Sequence, residues 1–187
     1  QIQGFFSIPG DELSARNLIV EYLRPLVDAN RDDTVLVVPD LGYANAARRI
    51  AELLDIPLVF MQKTHRDNSG KSEIVGVIGD IDRKRAIVID DEIDKGTTMN
   101  NTIEVLKQRG VTEIYAACTH PTFSDDAADK PCNSGIKQLI VTATVPVKPS
   151  PRNPPPPRGA SRGPPSAPCT RCLRRGRARA ARAGWRA

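Results

Sequence analysis

At 187 residues the chain has room for one domain of ordinary size and little more. Its formal charge of +5 hides a division: 11 of the 27 Lys and Arg residues lie from Lys148 onward, where there is no acid, leaving 16 bases against 22 acids, a net −6, in residues 1–147. An acidic body excludes a broad nucleic-acid surface, which needs clustered cations. With no apolar run of about 18 residues, no membrane span is expected.

The first residues, Gln1 to Pro9, read as an extended piece with paired aromatics, Phe5 and Phe6, and resemble the end of a strand. The chain opens without a methionine, as if cut from something longer, and has no charged-then-apolar leader. From Asp11 to Ala29, apolar residues including Leu13, Leu18, Ile19, Leu23, Leu26 and Val27 recur at three and four, which predicts an amphipathic helix capped by Asp11 and kinked or ended at Pro25. Thr34–Val38 predicts a buried strand, Ala44–Leu54 a helix with Ala46, Ala47, Ile50 and Leu53 or Leu54 inward, and Pro57–Met61 another strand. Lys63 to Ser72 has no periodicity and reads as a mobile loop.

Glu73 to Ile81 predicts a strand with a Gly-Asp turn at Gly79-Asp80. Arg85 to Met99 is the most informative stretch: a β-branched run through Ile89, two adjacent acids, Asp90 and Asp91, then a small-residue loop, Asp94, Lys95, Gly96, Thr97 and Thr98, before a helix through Arg109 that Gly110 stops. A near-continuous apolar run marks a parallel strand covered on both faces. Open α/β sheets bind ligands beyond the carboxyl ends of such strands. There, loop N–H groups, hydroxyls and a helix amino end suit a phosphate, and the acids suit sugar hydroxyls or Mg²⁺. Glu113–Thr119 and Gln138–Val145 predict two more strands, separated by a polar segment. Strands alternating with helices predict an α/β fold, a mainly parallel sheet flanked by helices.

Residues 1–147 are therefore read as the domain and residues 148–187 as a disordered, basic, Pro/Arg-rich tail, too poor in aliphatic side chains to offset chain entropy. The tail reads either as a binding arm or, since it carries no motif, as the product of a shifted reading frame or altered terminal exon. Cys118 falls in an apolar strand and Cys132 in a loop; Cys169 and Cys172 form a lone C-x-x-C with no second ligand pair for zinc. Such cysteine usage fits a reducing, cytoplasmic compartment.

With these elements in order, residues 1–147 resemble the carboxyl-terminal half of the ribose-phosphate pyrophosphokinases, the phosphoribosyl pyrophosphate synthetases, with a phosphoribosyltransferase-like fold. Gln1-Ile2-Gln3-Gly4-Phe5-Phe6 is similar to the end of the family's D-L-H-x-x-Q-I-Q-G-F-F segment. Val38-Pro39-Asp40-Leu41-Gly42 resembles its S-P-D-x-G loop, Gly79-Asp80 its V-G-D turn, and Ile89 to Thr98 its V-D-D-I-I-D-T-x-G-T loop. Thr119-His120 and Thr142 to Pro146 echo A-T-H-G and T-D-T-I-P.

The resemblance implies transfer of diphosphate from ATP to ribose 5-phosphate with Mg²⁺, for nucleotide biosynthesis. It assigns the ribose hydroxyls to Asp90 and Asp91, the 5-phosphate to Asp94, Lys95, Gly96, Thr97 and Thr98, metal or pyrophosphate to Asp40, and catalysis to Lys63 and Arg66. It also implies a homo-oligomer for the intact protein and an upstream half that completes the active site. The sequence departs from the family at Ala46, at Thr64-His65, at Lys95 and Thr97, at Pro121 and at Ala143. Two alternatives follow: a nucleobase phosphoribosyltransferase using the same loop, and a non-catalytic regulatory paralogue associated with the synthetase.

Overall fold

Alternation along buried strands decides which helix each apolar side chain meets. The computed structural model describes residues 7, 13–65, 72–124, 127, 129–146 and 170–173. Its elements are α1 (Arg16–Asp28), β1 (Thr34–Val38), α2 (Ala44–Leu54), β2 (Leu58–His65), β3 (Ser72–Ile78), β4 (Arg85–Glu92), α3 (Thr97–Gln108), β5 (Glu113–His120), α4 (Asp129–Asn133), β6 (Gln138–Thr142) and β7 (Thr170–Leu173). One sheet runs in the order β3-β2-β1-β4-β5-β6-β7, parallel except for the antiparallel β2–β3 hairpin at one edge.

Val35, Val37, Ala86, Val88, Ala116 and Val141 project to one face, where Met99, Ile103 and Leu106 of α3 cover them. Leu36, Val38, Ile87, Ile89, Ala117 and Ile140 project to the other and meet Ile19, Leu23 and Val27 of α1 with Ala47, Ile50 and Leu54 of α2. Both faces are dry, so β1 is buried at every position and its sequence shows no alternation. Each fully buried Val, Leu or Ile contributes roughly 1.5–3 kcal/mol.

The departures from expectation have local causes. Helix α1 starts at Arg16, and Leu13 is 84% exposed instead of packed; Asp11 lies outside the described residues. Pro25 sits inside α1 without ending it, because the fully buried Leu23 and Val27 hold the turns on either side against the sheet. Lys63–His65, expected in a loop, continue β2: Lys63 pairs with Ile74, Thr64 with Glu73 and His65 with Ser72, after a register shift between Gln62 and Lys63. A two-stranded edge ribbon gains its order from ladder hydrogen bonds, which polar residues make as well as apolar ones. Cys132, expected in a loop, lies in α4.

Within the Pro/Arg-rich segment, expected to lack order, Thr170–Leu173 pair in parallel with Leu139–Thr142 of β6. The open edge of β6 offers backbone donors and acceptors to any extended segment, which composition does not register. The rest of that segment, and the expected extended piece at residues 1–9 apart from Ser7, lie outside the described residues.

The amino-terminal end of the sheet is pinned by Arg85. Its Nε donates to Glu113 Oε2 at 2.9 Å, one terminal nitrogen donates to the Leu26 carbonyl of α1 at 2.9 Å, and the other lies 2.6 Å from Glu113. The guanidinium also stands 5.8 Å from the Tyr115 ring centroid. Arg85→Met keeps the stem but leaves the Leu26 carbonyl and Glu113 without this donor. We expect a loss of about 1–3 kcal/mol, at the lower end because Glu113 is partly exposed, read as a lower urea midpoint with an unchanged slope.

Candidate functional site

The strand order reverses between β1 and β4. From β1 the chain moves outward to β2 on one side, whereas β4 takes the other side and leads on to β5 and β6. At such a switch point the loops leaving the two strands splay apart and open a crevice at their carboxyl ends. The loop after β1 carries Asp40 and Tyr43; the end of β4 and its loop carry Asp90, Asp91 and residues 93–97. Topology alone thus brings together Asp40, Asp90, Asp91 and the small-residue loop.

Asp40 is exposed and caps a short 3-10 turn, Leu41–Tyr43, accepting from the Gly42 N–H at 2.9 Å. Asp90 is half-buried, Asp91 exposed, and Asp90 Oδ1 accepts from the Asp91 N–H at 3.0 Å. Strand β4 outlasts its apolar run because the ladder to β5 continues, Asp90 opposite Cys118 and Glu92 opposite His120. Burial pushes the Cys118 thiol well up, and the field of Asp90 adds to this, so Cys118 is a core residue and not a nucleophile.

Tyr43 is half-buried and packs into the cluster beneath α1 and α2. Its phenol is held above the ordinary range, mainly by burial, with the Thr119 side chain at the end of β5 opposing and the carboxylates of Asp91 and Asp90 adding. It therefore stays protonated at neutral pH beside the acidic pair. Next to it, Thr142 and Thr144 both donate to the Thr119 carbonyl, at 2.6 and 2.7 Å, and Thr144 Oγ1 lies 3.1 Å from His120 Nδ1.

Gly96 stands at the N-cap of α3 with φ +70°, and its carbonyl accepts the first helical bond from the Asn100 N–H at 2.9 Å. The loop before it is bound to the segment after β5. The Ile93 carbonyl accepts from the Phe123 N–H at 3.0 Å and from Thr122 Oγ1 at 3.0 Å; the Asp94 carbonyl accepts from the Ser124 N–H at 3.1 Å; the Lys95 carbonyl accepts from Lys130 Nζ at 3.0 Å. The Ser124 hydroxyl donates to the Asp94 carboxylate. Among the described residues no acceptor meets the N–H groups of Lys95, Gly96 or Thr97. A loop whose carbonyls are tied back while its amides are not is suited to an anion.

Of the residues named from sequence, Asp40, Asp90, Asp91, Asp94, Lys95, Gly96, Thr97 and Thr98 flank this crevice. Lys63 lies in β2 next to β1, its side chain outside the description, and Arg66 lies outside the described residues. Tyr43, Ser124 and Lys130 escaped the sequence reading. Ser124 and Lys130 lie 30 and 35 residues from their partners Asp94 and Lys95, a separation that no local pattern reports.

Among the described residues no three His, Cys, Asp or Glu side chains converge as an all-protein cation cage. Asp40 fits a different arrangement: a hard cation such as Mg²⁺ commonly takes one or two carboxylates and completes its sphere with substrate phosphate and water. Among the described residues, no helix is long and apolar enough to cross a membrane.

A family model for the phosphoribosyl synthetase-associated domain matches residues 58–152. The chain is 39% identical over 145 residues to ribose-phosphate pyrophosphokinase of Staphylococcus epidermidis and 42% identical over 145 residues to ribose-phosphate pyrophosphokinase 1 of Lactococcus lactis. These matches cover 78% of this chain and 45% and 44% of those proteins, so the chain spans a little under half the length of the curated relatives it matches. It superposes on phosphoribosylpyrophosphate synthetase from Mycobacterium smegmatis with a TM-score of 0.72 at 30% identity, over 92% of this chain and 50% of that one. On these matches, and on a fold shared with a synthetase, the chain belongs to the ribose-phosphate pyrophosphokinase family, in the region of its phosphoribosyl synthetase-associated domain.

Proposed function

We propose that the intact protein transfers diphosphate from ATP to ribose 5-phosphate, and that this chain supplies the ribose 5-phosphate side of the active site. The observation that carries the reading is the convergence, at one switch point, of the Asp40 turn, the Asp90–Asp91 pair and an amide-rich loop at the start of α3. The substrate has a matching order of groups: an anion at one end, two vicinal hydroxyls in the middle and a reacting hydroxyl at the other end.

Asp94, Lys95, Gly96, Thr97 and Thr98 hold the 5-phosphate through backbone N–H groups, hydroxyls and the amino end of α3. Asp90 and Asp91 accept from the ribose 2- and 3-hydroxyls, as carboxylates do well. That grip sets the 1-hydroxyl for attack on the β-phosphorus of ATP; the new O–P bond forms, AMP leaves, and the hydroxyl proton is released. Mg²⁺, when bound at Asp40, supplies charge neutralisation for the polyphosphate. Lys63 and Arg66 offset the charge of the transferring diphosphate, in a reaction governed by positioning and electrostatics. The remainder of the site belongs to the part of the family's length that this chain does not span. We read the intact protein as a cytoplasmic homo-oligomer, to which the exposed Leu53 of α2 and Ile78 of β3 offer apolar surface.

A second reading rests on Ala46, Thr64 and Ala143: a regulatory paralogue that binds ribose 5-phosphate and assembles with active subunits. The intact gene product, given ATP, Mg²⁺ and ribose 5-phosphate, is expected to release AMP only when all three are present. No AMP, with ribose 5-phosphate still bound, would decide for the paralogue.

A further inference from the structure

We infer that Lys130 is a positioning residue for the 5-phosphate, acting through the Lys95 carbonyl to aim the Gly96 N–H into the anion site. The inference rests on the proposed ribose 5-phosphate site and adds to it a residue outside the loop, on α4.

In a trans peptide the carbonyl and the following N–H point in opposite directions. Holding the carbonyl of residue i on one side therefore fixes the N–H of residue i+1 on the other. The segment after β5 does this at three successive peptides: Phe123 N–H holds the Ile93 carbonyl, Ser124 N–H the Asp94 carbonyl, and Lys130 Nζ the Lys95 carbonyl, at 3.0, 3.1 and 3.0 Å. The N–H groups of Asp94, Lys95 and Gly96 are thereby turned away from that segment. The following carbonyl, on Gly96, is engaged by Asn100 of α3, so the series runs unbroken into the helix.

The Lys130 link differs from the other two. The Ile93 and Asp94 carbonyls are held by backbone groups, and Asp94 gains a further bond from the Ser124 hydroxyl. The Lys95–Gly96 peptide has only a side chain to hold it, and it precedes a glycine at φ +70°, where backbone rotation is easiest. Releasing it costs the fold little, because Lys130 is exposed, but it removes one oriented donor from the anion site. A donor already aimed adds affinity by sparing the ordering cost on binding.

The test uses the 187-residue chain labelled with ¹⁵N, with Lys130→Met, Lys130→Arg and Lys130→Gln, titrated with ribose 5-phosphate and separately with inorganic phosphate. In the unsubstituted chain the Gly96 and Thr97 amide resonances are expected to move on titration. In Lys130→Met the affinity should fall about three- to tenfold, with a reduced Gly96 shift and an intact remaining spectrum; Lys130→Arg should restore most of it. The loss should persist at about 0.5 M salt, where the charge of an exposed lysine is screened beyond a few ångströms. A loss that disappears in salt would make Lys130 a general attractive charge and overturn the inference, as would a Met variant with unchanged affinity and Gly96 shift. Should Lys130→Met disturb the spectrum as a whole, Lys130→Gln gives the same reading. If the unsubstituted chain shows no movement at Gly96 or Thr97 with either anion, the ribose 5-phosphate site itself is wrong.

Discussion

Asp90→Asn and Asp91→Asn are each expected to weaken ribose 5-phosphate binding about ten- to a hundredfold while leaving inorganic phosphate binding nearly unchanged. A hydrogen bond to a charged partner is worth about 1.5–3 kcal/mol, and about 1.4 kcal/mol is tenfold in affinity. Asparagine is the informative replacement because its amide keeps one oxygen. In Asp90→Asn that oxygen can still accept from the Asp91 N–H, which in the unsubstituted chain lies 3.0 Å from Asp90 Oδ1. The fold is retained and only the charge and one acceptor are lost. Asp90, Asp91 and Glu92 follow one another with like charge. Neutralising Asp91, which is exposed, relieves part of that repulsion and should leave stability level or slightly raised. Calorimetric titration with both ligands checks this. Equal losses for ribose 5-phosphate and inorganic phosphate would mean that the acids act on the loop instead of the ribose hydroxyls.

Those two acids were legible in the sequence because the apolar run before them ends abruptly, and a run of that kind has one structural meaning. Val88 and Ile89 are buried on opposite faces of the sheet, so the first charged pair after them must mark its carboxyl edge. Strand β1 was legible to the residue on the same grounds, since Val35–Val38 are apolar, every position of Thr34–Val38 is buried, and polar turns bound the run. The β2–β3 hairpin was not. Its far end, Lys63–His65 against Ser72–Ile74, is ordered by backbone pairing in which every residue but Ile74 is polar, and hydrophobic periodicity carries no information about that.

The site shows the same division. Asp40, Asp90, Asp91 and the Gly96 loop announce themselves by residue type at the ends of strands. Tyr43 gave no such signal: an aromatic after a D-x-G turn looks like any core residue, and only the adjacency of β1, β4 and β5 brings it beside Thr119 and the acids. Ser124 and Lys130 were hidden for a related reason. They lie in a segment legible only as polar, and their importance comes from which carbonyls of a distant loop they reach.

Gly96→Ala is expected to cost about 1–3 kcal/mol of stability and, beyond that, to weaken inorganic phosphate and ribose 5-phosphate binding together by tenfold or more. Two costs combine. An L side chain at φ +70° is disfavoured by about 1–2 kcal/mol. In addition, a Cβ at Gly96 would stand 3.0 Å from the Ala127 carbonyl oxygen, a backbone atom that cannot rotate away. Relief must come from the loop, either by shifting Gly96 toward an ordinary φ or by moving it off the segment after β5, and both movements turn the Lys95, Gly96 and Thr97 amides. Gly110 supplies the control. It also has positive φ, +85°, at the end of α3, but a Cβ there meets nothing within 4 Å. Gly110→Ala should therefore lose about 1 kcal/mol through the same backbone penalty and bind both anions as before. Urea unfolding and anion titration of the two variants separate conformational strain from the contact with Ala127. If Gly96→Ala loses no more affinity than Gly110→Ala, the loop's amides are not what holds the anion.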